Sequence, residues 1–138
     1  MKTIQFTVYG TPVPQGSMKA FIPKGWNRAV LTSDNKKTKG WRQEIAGAAH
    51  RAMGKNNPAE GVAIGVSCAF YFDRPKSVKK SVASKITKPD IDKLARSVLD
   101  AMTGTVYKDD SQVIRLVLAK SFDPRPRVDI AVIFEDMV

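Results

Sequence analysis

Cysteine and histidine are nearly absent from this sequence, which contains one of each in 138 residues. Cys68 has no partner for a disulfide within the chain, and a lone cysteine fits an intracellular protein best. Because Cys68 lies in an apolar run, we expect it in the core. His50 has no second nitrogen ligand to accompany it, so we expect no metal-binding role for this side chain.

Long hydrophobic runs are also missing. No apolar stretch approaches the ~20 residues that a membrane-spanning helix needs. The polar, alternating start of the chain lacks the apolar core of a signal peptide. We therefore expect a cytoplasmic protein with no membrane partner. With 43% hydrophobic and 26% charged residues, the composition is typical of a folded protein, and this length suffices for one compact core.

Acidic residues are scarce and unevenly placed. The chain has 13 of them against 23 lysines and arginines, a net charge of +10. That excess favours a polyanionic partner, nucleic acid before an anionic membrane, although a merely basic soluble protein is the alternative. Residues 1–89 hold only four acids, whereas five lie between Asp90 and Asp110. Because carboxylates and phosphates repel unless a cation separates them, this acidic window suggests a metal ion.

Apolar periodicity predicts a single compact α+β domain, with a mixed or antiparallel sheet and about two helices. Alternating apolar residues or short apolar runs predict strands over residues 3–9, 62–72, 112–121 and 127–134. Apolar residues at helical spacing predict helices over residues 41–53 and 91–102.

Two long basic segments, about 11–40 and 74–88, have no such period. Connections of this length are usually functional or mobile, and we expect mobile loops, the first with a short hairpin. Their lysines are candidates for phosphate contacts that do not read bases, although a solvated loop is the simpler interpretation. The candidate lysines are Lys36, Lys37, Lys76, Lys79, Lys80, Lys85 and Lys88.

Asp90 and Asp92 open the acidic window, two residues apart, where the second predicted helix begins. In an extended or turn segment, residues i and i+2 point the same way, so two carboxylates can converge on one cation. Magnesium prefers oxygen ligands and usually takes one or two protein carboxylates together with water and phosphate. The alternative is ordinary helix capping, for which Asp90 is well suited.

Arg96 lies between Asp92 and Asp100 at intervals of four residues. This spacing is typical of a salt-bridge ladder on an exposed helix face, but it also lets Arg96 face a site beside Asp92 and contact phosphate. Asp109 and Asp110 precede the next predicted strand. Adjacent acids there are usually turn residues, and strand alternation would aim only one of them at a shared site.

The run from Lys88 to Val113, KPDIDKLARSVLDAMTGTVYKDDSQV, resembles the signature of RusA-type Holliday-junction resolvases. These are endonucleases common in bacteria and their phages. The resemblance implies Asp90, Asp92 and Asp110 as magnesium ligands, and it leaves Asp109 to cap the turn. The family has a functional lysine where this chain has Arg96, so the positive charge is kept. The guanidinium of arginine is planar, however, and it is a poorer proton donor than the ammonium of lysine.

The resemblance implies a homodimer that resolves four-way junctions in recombination and repair. Phosphodiester hydrolysis would depend on Mg²⁺, for which Mn²⁺ is expected to substitute, and two symmetric sites would make paired nicks. Two other hypotheses stay open. One is a branched-DNA nuclease with looser selectivity, and the other is a basic DNA-binding module of the same fold without catalysis.

Overall fold

A computed structural model of the chain describes residues 3–16, 18–33 and 37–135. Lys36, one of the candidate phosphate contacts, lies outside the described residues. Within the described ranges, strands and helices follow in the order β1 (Thr3–Tyr9), β2 (Met18–Phe21), β3 (Val30–Ser33), α1 (Thr38–Met53), β4 (Ala63–Phe72), α2 (Ile91–Met102), β5 (Val113–Phe122) and β6 (Arg127–Glu135). A short 3₁₀ turn, Asp110–Gln112, immediately precedes β5.

Four of these strands form one mixed sheet in the order β1-β6-β4-β5. β4 and β5 run parallel, while β6 runs antiparallel to both β1 and β4. Parallel neighbours need a crossover connection, and α2 lies in the segment that joins β4 to β5. The mixed sheet with two helices confirms the predicted α+β class. β2 and β3 form the separate antiparallel hairpin that was predicted within the first basic segment.

The sheet buries one face against the two helices. Successive side chains of a strand point to opposite faces, and in β4 and β6 the buried positions alternate with more exposed ones. α2 contributes an apolar stripe that is completely buried, and α1 adds Trp41, Ile45 and Ala49. The buried core side chains of β4, β6 and α2 include Ile64, Val66, Cys68, Phe70, Val128, Ile130, Val132, Leu94, Val98 and Met102.

The helix bounds agree closely with the prediction. α2 spans residues 91–102 as expected, whereas α1 begins at Thr38 and not at residue 41. Gly40 was expected in the loop, but the amide of Trp41 donates to the carbonyl of Lys37 at 3.1 Å and closes the first turn. Neither α1 nor α2 has the length and apolar character needed to cross a membrane.

The second basic segment is irregular, as predicted, but part of it is attached to the sheet. The amide of Phe122 donates to the carbonyl of Ala83 at 2.9 Å, and Ser84 forms a bridge with Ser121. Residues 83–85 therefore cover the C-terminal end of β5 on its outer edge. This attachment leads the chain directly towards Asp90 and the start of α2.

Candidate active site

A cleft of about 630 Å³ runs beside α2, and we call it the acidic cleft. α2 supplies three polar side chains to it, the 3₁₀ turn supplies one and the segment after β1 supplies another. Apolar side chains of α2 and β5 complete the wall. The lining residues are Gln15, Asp92, Ala95, Arg96, Leu99, Asp100, Asp110, Leu116 and Leu118.

The amphipathic character of α2 explains why its polar side chains face the cleft. Residues at i and i+4 share one helix face, so Asp92, Arg96 and Asp100 lie in a row opposite the buried stripe. Asp100 forms a salt bridge with Arg42 of α1 at 3.6 Å. Among the described residues, Arg96 makes no salt bridge to Asp92 or Asp100, so the simple ladder is not formed.

Asp90 occupies the N-cap position of α2 with an extended backbone, φ −69° and ψ 138°. Its side chain accepts no capping hydrogen bond, and its nearest cation is the ammonium of Lys93 at 4.0 Å. The capping interpretation therefore does not account for this carboxylate. Asp90 lies two residues before Asp92, but it is not among the residues that line the acidic cleft.

The two adjacent acids before β5 have different structural roles. Asp109 caps the 3₁₀ turn: its carboxylate accepts from the amide of Ser111 at 2.9 Å, while its own amide donates to the side chain of Gln112 at 3.0 Å. The hydrogen bonds from Ser111 lower the pKa of Asp109. The capping pair is Asp109 and Gln112, whereas Asp110 lines the cleft. The expectation that Asp109 caps the turn is confirmed.

Burial and neighbouring charge act together on Asp100. Desolvation raises the pKa of its carboxyl group, and the charge of Asp110 adds to that rise, while Arg42 and Arg96 oppose it. Asp100 of α2 and Asp110 of the 3₁₀ turn both line the cleft, which therefore gathers negative charge from two separate elements. Sequence reasoning placed Asp100 on the right helix face but did not include it in the site.

The carboxylates suit a cation held in an open site. No group of three or more acids, histidines or cysteines within residues 3–16, 18–33 and 37–135 has the proximity needed to enclose a metal ion. Asp92 and Asp110 nevertheless present carboxylates to one cleft. Mg²⁺ commonly binds through one or two protein carboxylates and keeps water and substrate phosphate as its other ligands, so the donor set fits that ion.

Comparison with known proteins identifies the family. The family model described as "Endodeoxyribonuclease RusA" matches residues 10–133. The chain belongs to the RusA family. It is also 36% identical over 142 aligned positions to the uncharacterized protein YqaN of Bacillus subtilis (strain 168), and the match covers 96% of each chain.

RusA membership makes this chain an endodeoxyribonuclease, a DNA-binding hydrolase of the Holliday-junction resolvase type. The family resemblance seen in residues 88–121 is thereby confirmed, and the match extends over most of the chain. Asp92, Arg96 and Asp110, which that resemblance named, all line the acidic cleft, and Asp90 lies beside it.

The lysines of this RusA-family chain fall into two groups. Lys37, Lys76, Lys79, Lys80 and Lys88 are exposed. Lys85 is half-buried: its ammonium donates to the hydroxyl of Thr87 at 2.8 Å and lies over the ring of Phe72 at 5.1 Å. Burial, and secondarily the charge of Lys120, lowers the pKa of Lys85. The ammonium of Lys85 is thus engaged in contacts within the fold, whereas a lysine that binds DNA phosphate would present its ammonium to solvent.

Lys120 is a residue that the sequence analysis missed. It lies on β5, and its ammonium donates to the carbonyls of Thr87 and Pro89 at 2.7 and 2.8 Å. These two bonds hold the chain immediately before Asp90. Pro89 lies 31 residues before Lys120 in the sequence. No local sequence pattern connects the two, so this contact could not be predicted.

Proposed function

We propose that this chain resolves Holliday junctions by Mg²⁺-dependent hydrolysis of phosphodiester bonds, with Asp90, Asp92 and Asp110 as metal ligands; Asp92 and Asp110 already share the cleft, and Asp90, beside it, would move in when the ion binds. The observation that carries the proposal is the shared cleft of Asp92, Arg96 and Asp110, which come from two separate elements. Support for Asp90 is its carboxylate, which the helix does not use as a cap. Mn²⁺ should replace Mg²⁺, since both accept oxygen ligands in octahedral geometry.

Each side chain has a distinct task in this proposal. Bound Mg²⁺ would supply an activated water and neutralise charge on the scissile phosphate. Arg96 contacts a phosphate oxygen through its planar fork of N–H donors. The apolar wall of Leu99, Leu116 and Leu118 restricts water on one side of the cleft, which strengthens these electrostatic contacts. Cleavage leaves 5′-phosphate and 3′-hydroxyl ends.

The proposal includes a homodimer and a DNA-binding surface outside the cleft. Two copies related by a two-fold axis would present two sites to opposed strands of a four-way junction, so the nicks would be paired. Exposed lysines of the segments about 11–40 and 74–88 would contact phosphates without reading bases. We expect the protein to act on bacterial or phage DNA in the cytoplasm.

Replacing the acids tests the catalytic part of this proposal. Asp92→Asn and Asp110→Asn should each abolish cleavage of a synthetic four-way junction in Mg²⁺. Both should keep or tighten junction binding in EDTA, because carboxylate–phosphate repulsion falls. Asp109→Asn is the matched control, since asparagine keeps an acceptor oxygen for the cap, and it should cleave within a few-fold of the unmodified protein.

Comparison of substrates decides between the hypotheses. Rates on a four-way junction, a Y-fork and a linear duplex of the same sequence measure selectivity, and equal rates on the first two would favour a looser branched-DNA nuclease. If the unmodified protein binds all three and cuts none in Mg²⁺ or Mn²⁺, it is a DNA-binding module and the enzymatic proposal fails.

A further inference from the structure

Gln15 lines the acidic cleft together with Asp92, Arg96 and Asp110, although it lies far from them in the sequence. One hydrogen bond holds its backbone and another holds that of its neighbour Pro14. The amide of Gln15 donates to the carbonyl of Lys93 in α2 at 2.9 Å, and the hydroxyl of Thr38 in α1 donates to the carbonyl of Pro14 at 2.9 Å. The segment of Pro14 and Gln15 is therefore attached to the starts of both helices.

The side-chain oxygen of Gln15 is buried and has no hydrogen-bond partner among the described residues. A buried carbonyl oxygen without a donor lowers stability, so native proteins usually supply one or leave such an atom for a ligand. The carboxylates of Asp92 and Asp110 cannot satisfy it, because ionised carboxylates only accept hydrogen bonds. Arg96 lines the same cleft and carries N–H donors, but it makes no hydrogen bond to this oxygen, which leaves the oxygen open to a donor that enters the cleft.

The chemistry of DNA hydrolysis narrows the identity of that donor. Phosphodiester oxygens carry no proton at neutral pH and cannot donate to Gln15. The attacking water has two O–H groups and can donate one while its oxygen lone pair faces phosphorus. A glutamine that orients an attacking water is an established device in phosphoryl transfer.

We propose that the carboxamide of Gln15 binds and orients the water that attacks the scissile phosphate; this rests on the hydrolytic function proposed above. The water oxygen forms a bond to phosphorus and the bond from phosphorus to the 3′ oxygen breaks. The attacking water loses one proton to solvent, and the departing 3′ oxygen takes up one proton from solvent. Gln15 itself gains and loses no proton.

Two substitutions at Gln15 and one control test this role. Gln15→Met keeps the length of the side chain and removes its acceptor, whereas Gln15→Glu keeps an acceptor oxygen. Gln5→Met is the matched control, because Gln5 is exposed on β1 and lines a different groove, on the opposite face of the sheet. The measurements are the single-turnover cleavage rate in Mg²⁺, junction affinity in EDTA and the melting temperature.

Gln15→Met should slow single-turnover cleavage by about 100-fold, comparable to removal of one preorganised hydrogen-bonding group from an active site. Junction affinity should stay within about three-fold, because the contact is to water and not to DNA. The melting temperature should be unchanged or higher, since an unpartnered buried oxygen has been removed. Gln15→Glu should cleave faster than Gln15→Met, and Gln5→Met should match the unmodified protein.

Several results would overturn the inference. Cleavage by Gln15→Met at the unmodified rate would exclude a role in the reaction. Loss of junction affinity in both Gln15 variants would mean that the amide contacts phosphate. A large fall in melting temperature would indicate a structural role. If Gln15→Met fails to fold, the Gln15→Glu variant decides: a cleavage rate no higher than that of Asp92→Asn would contradict the proposal. If the unmodified protein cuts no branched DNA, the proposed function fails first and this inference with it.

Discussion

Arg96 is the residue where this chain departs from the lysine that the RusA resemblance implies. Its guanidinium lies in the acidic cleft without a salt bridge to Asp92 or Asp100 among the described residues. A guanidinium presents several N–H donors in one plane and stays charged, whereas an ammonium is a compact charge that can release a proton. The consequence for catalysis depends on which property the reaction uses.

We expect the positive charge to matter more than proton donation. Arg96→Met should reduce the single-turnover rate by about 100-fold, because a charge aimed at the phosphate is lost in a site partly shielded from water. Arg96→Lys should stay within about ten-fold of the unmodified rate, since it restores a cation at the same place. Junction cleavage in Mg²⁺ measures both.

Arg51→Met controls for the loss of one positive charge, because Arg51 is exposed on α1 outside the acidic cleft. It should leave the cleavage rate unchanged. If Arg96→Met cleaves as fast as Arg51→Met, the guanidinium belongs to a solvated helix face and has no part in the reaction.

Single residues also show what the sequence could and could not reveal about the site. The i,i+4 spacing placed Asp92, Arg96 and Asp100 on one face of a helix without any tertiary knowledge. The choice between Asp109 and Asp110 needed the family resemblance, and its physical basis is the 3₁₀ turn in which Asp109 bonds to Ser111. Gln15 carried no signal, because only tertiary packing brings it to α2.

At the scale of elements, α2 links the core to the site. Its stripe of Leu94, Val98 and Met102 is fully buried, so the opposite face is forced towards the cleft. Its C-terminal end is held by the hydroxyl of buried Tyr107, which donates to the carbonyl of Leu99 at 2.8 Å. Its N-terminal end depends on the segment before Asp90, which Lys120 holds from β5.

Lys120→Met should weaken that support while preserving the length of the side chain. Two carbonyls lose a charged donor, which should lower the free energy of unfolding by roughly 1–3 kcal/mol. Because Asp90 and Asp92 are then held less firmly, single-turnover cleavage should also fall by at least about ten-fold. Urea denaturation and junction cleavage measure the two effects.

Lys108→Met removes the same charge near the 3₁₀ turn, where Lys108 is exposed. It should change neither stability nor rate appreciably. Equal behaviour of the Lys120 and Lys108 variants would mean that the bonds from Lys120 contribute nothing to the geometry of the site.

The elements themselves were largely predictable, but their arrangement was not. α2 was predicted to the residue because Pro89 disfavours helix before it and its apolar period is strong. α1 was predicted to begin three residues late because Gly40 resembles a loop residue. The order of the strands could not be predicted in this way. β5 and β6 are joined directly by residues 123–126, yet β4 lies between them in the sheet. That order depends on tertiary packing, which no local sequence pattern records.

At the scale of the whole molecule, the net charge of +10 must attract DNA while the acidic cleft repels phosphate. The positive charge and the acidic cleft lie in different parts of the chain. Residues 1–89 carry a net charge of +12, whereas the acids of the cleft follow after residue 89. Five lysines of the described residues that were candidates for phosphate contact are exposed, and four of them lie in residues 74–88, close to α2 in the sequence. Attraction of this kind speeds association and weakens as salt is added.

The salt dependence of junction binding therefore measures these contacts. Each lysine that neutralises a phosphate contributes about 0.9 to the slope of log K against log salt concentration. Replacing Lys76, Lys79, Lys80 and Lys88 together by glutamine should thus reduce the slope by up to roughly 3.6. Affinity should fall equally for junctions of different sequence, because phosphate contacts read no bases.

Lys85→Gln provides the contrast within the same segment. Its ammonium is already engaged with Thr87 and lies over the rings of Phe72 and Phe122. We expect this substitution to leave the salt slope nearly unchanged and to lower stability by roughly 0.5–1 kcal/mol, through loss of the cation–π contacts. If Lys85→Gln instead reduces the slope as much as an exposed lysine does, its ammonium leaves the rings to bind DNA. If the four-lysine variant keeps the full slope, the phosphate contacts lie elsewhere, and the exposed lysines of the first basic segment, Lys37 among them, become the next to replace.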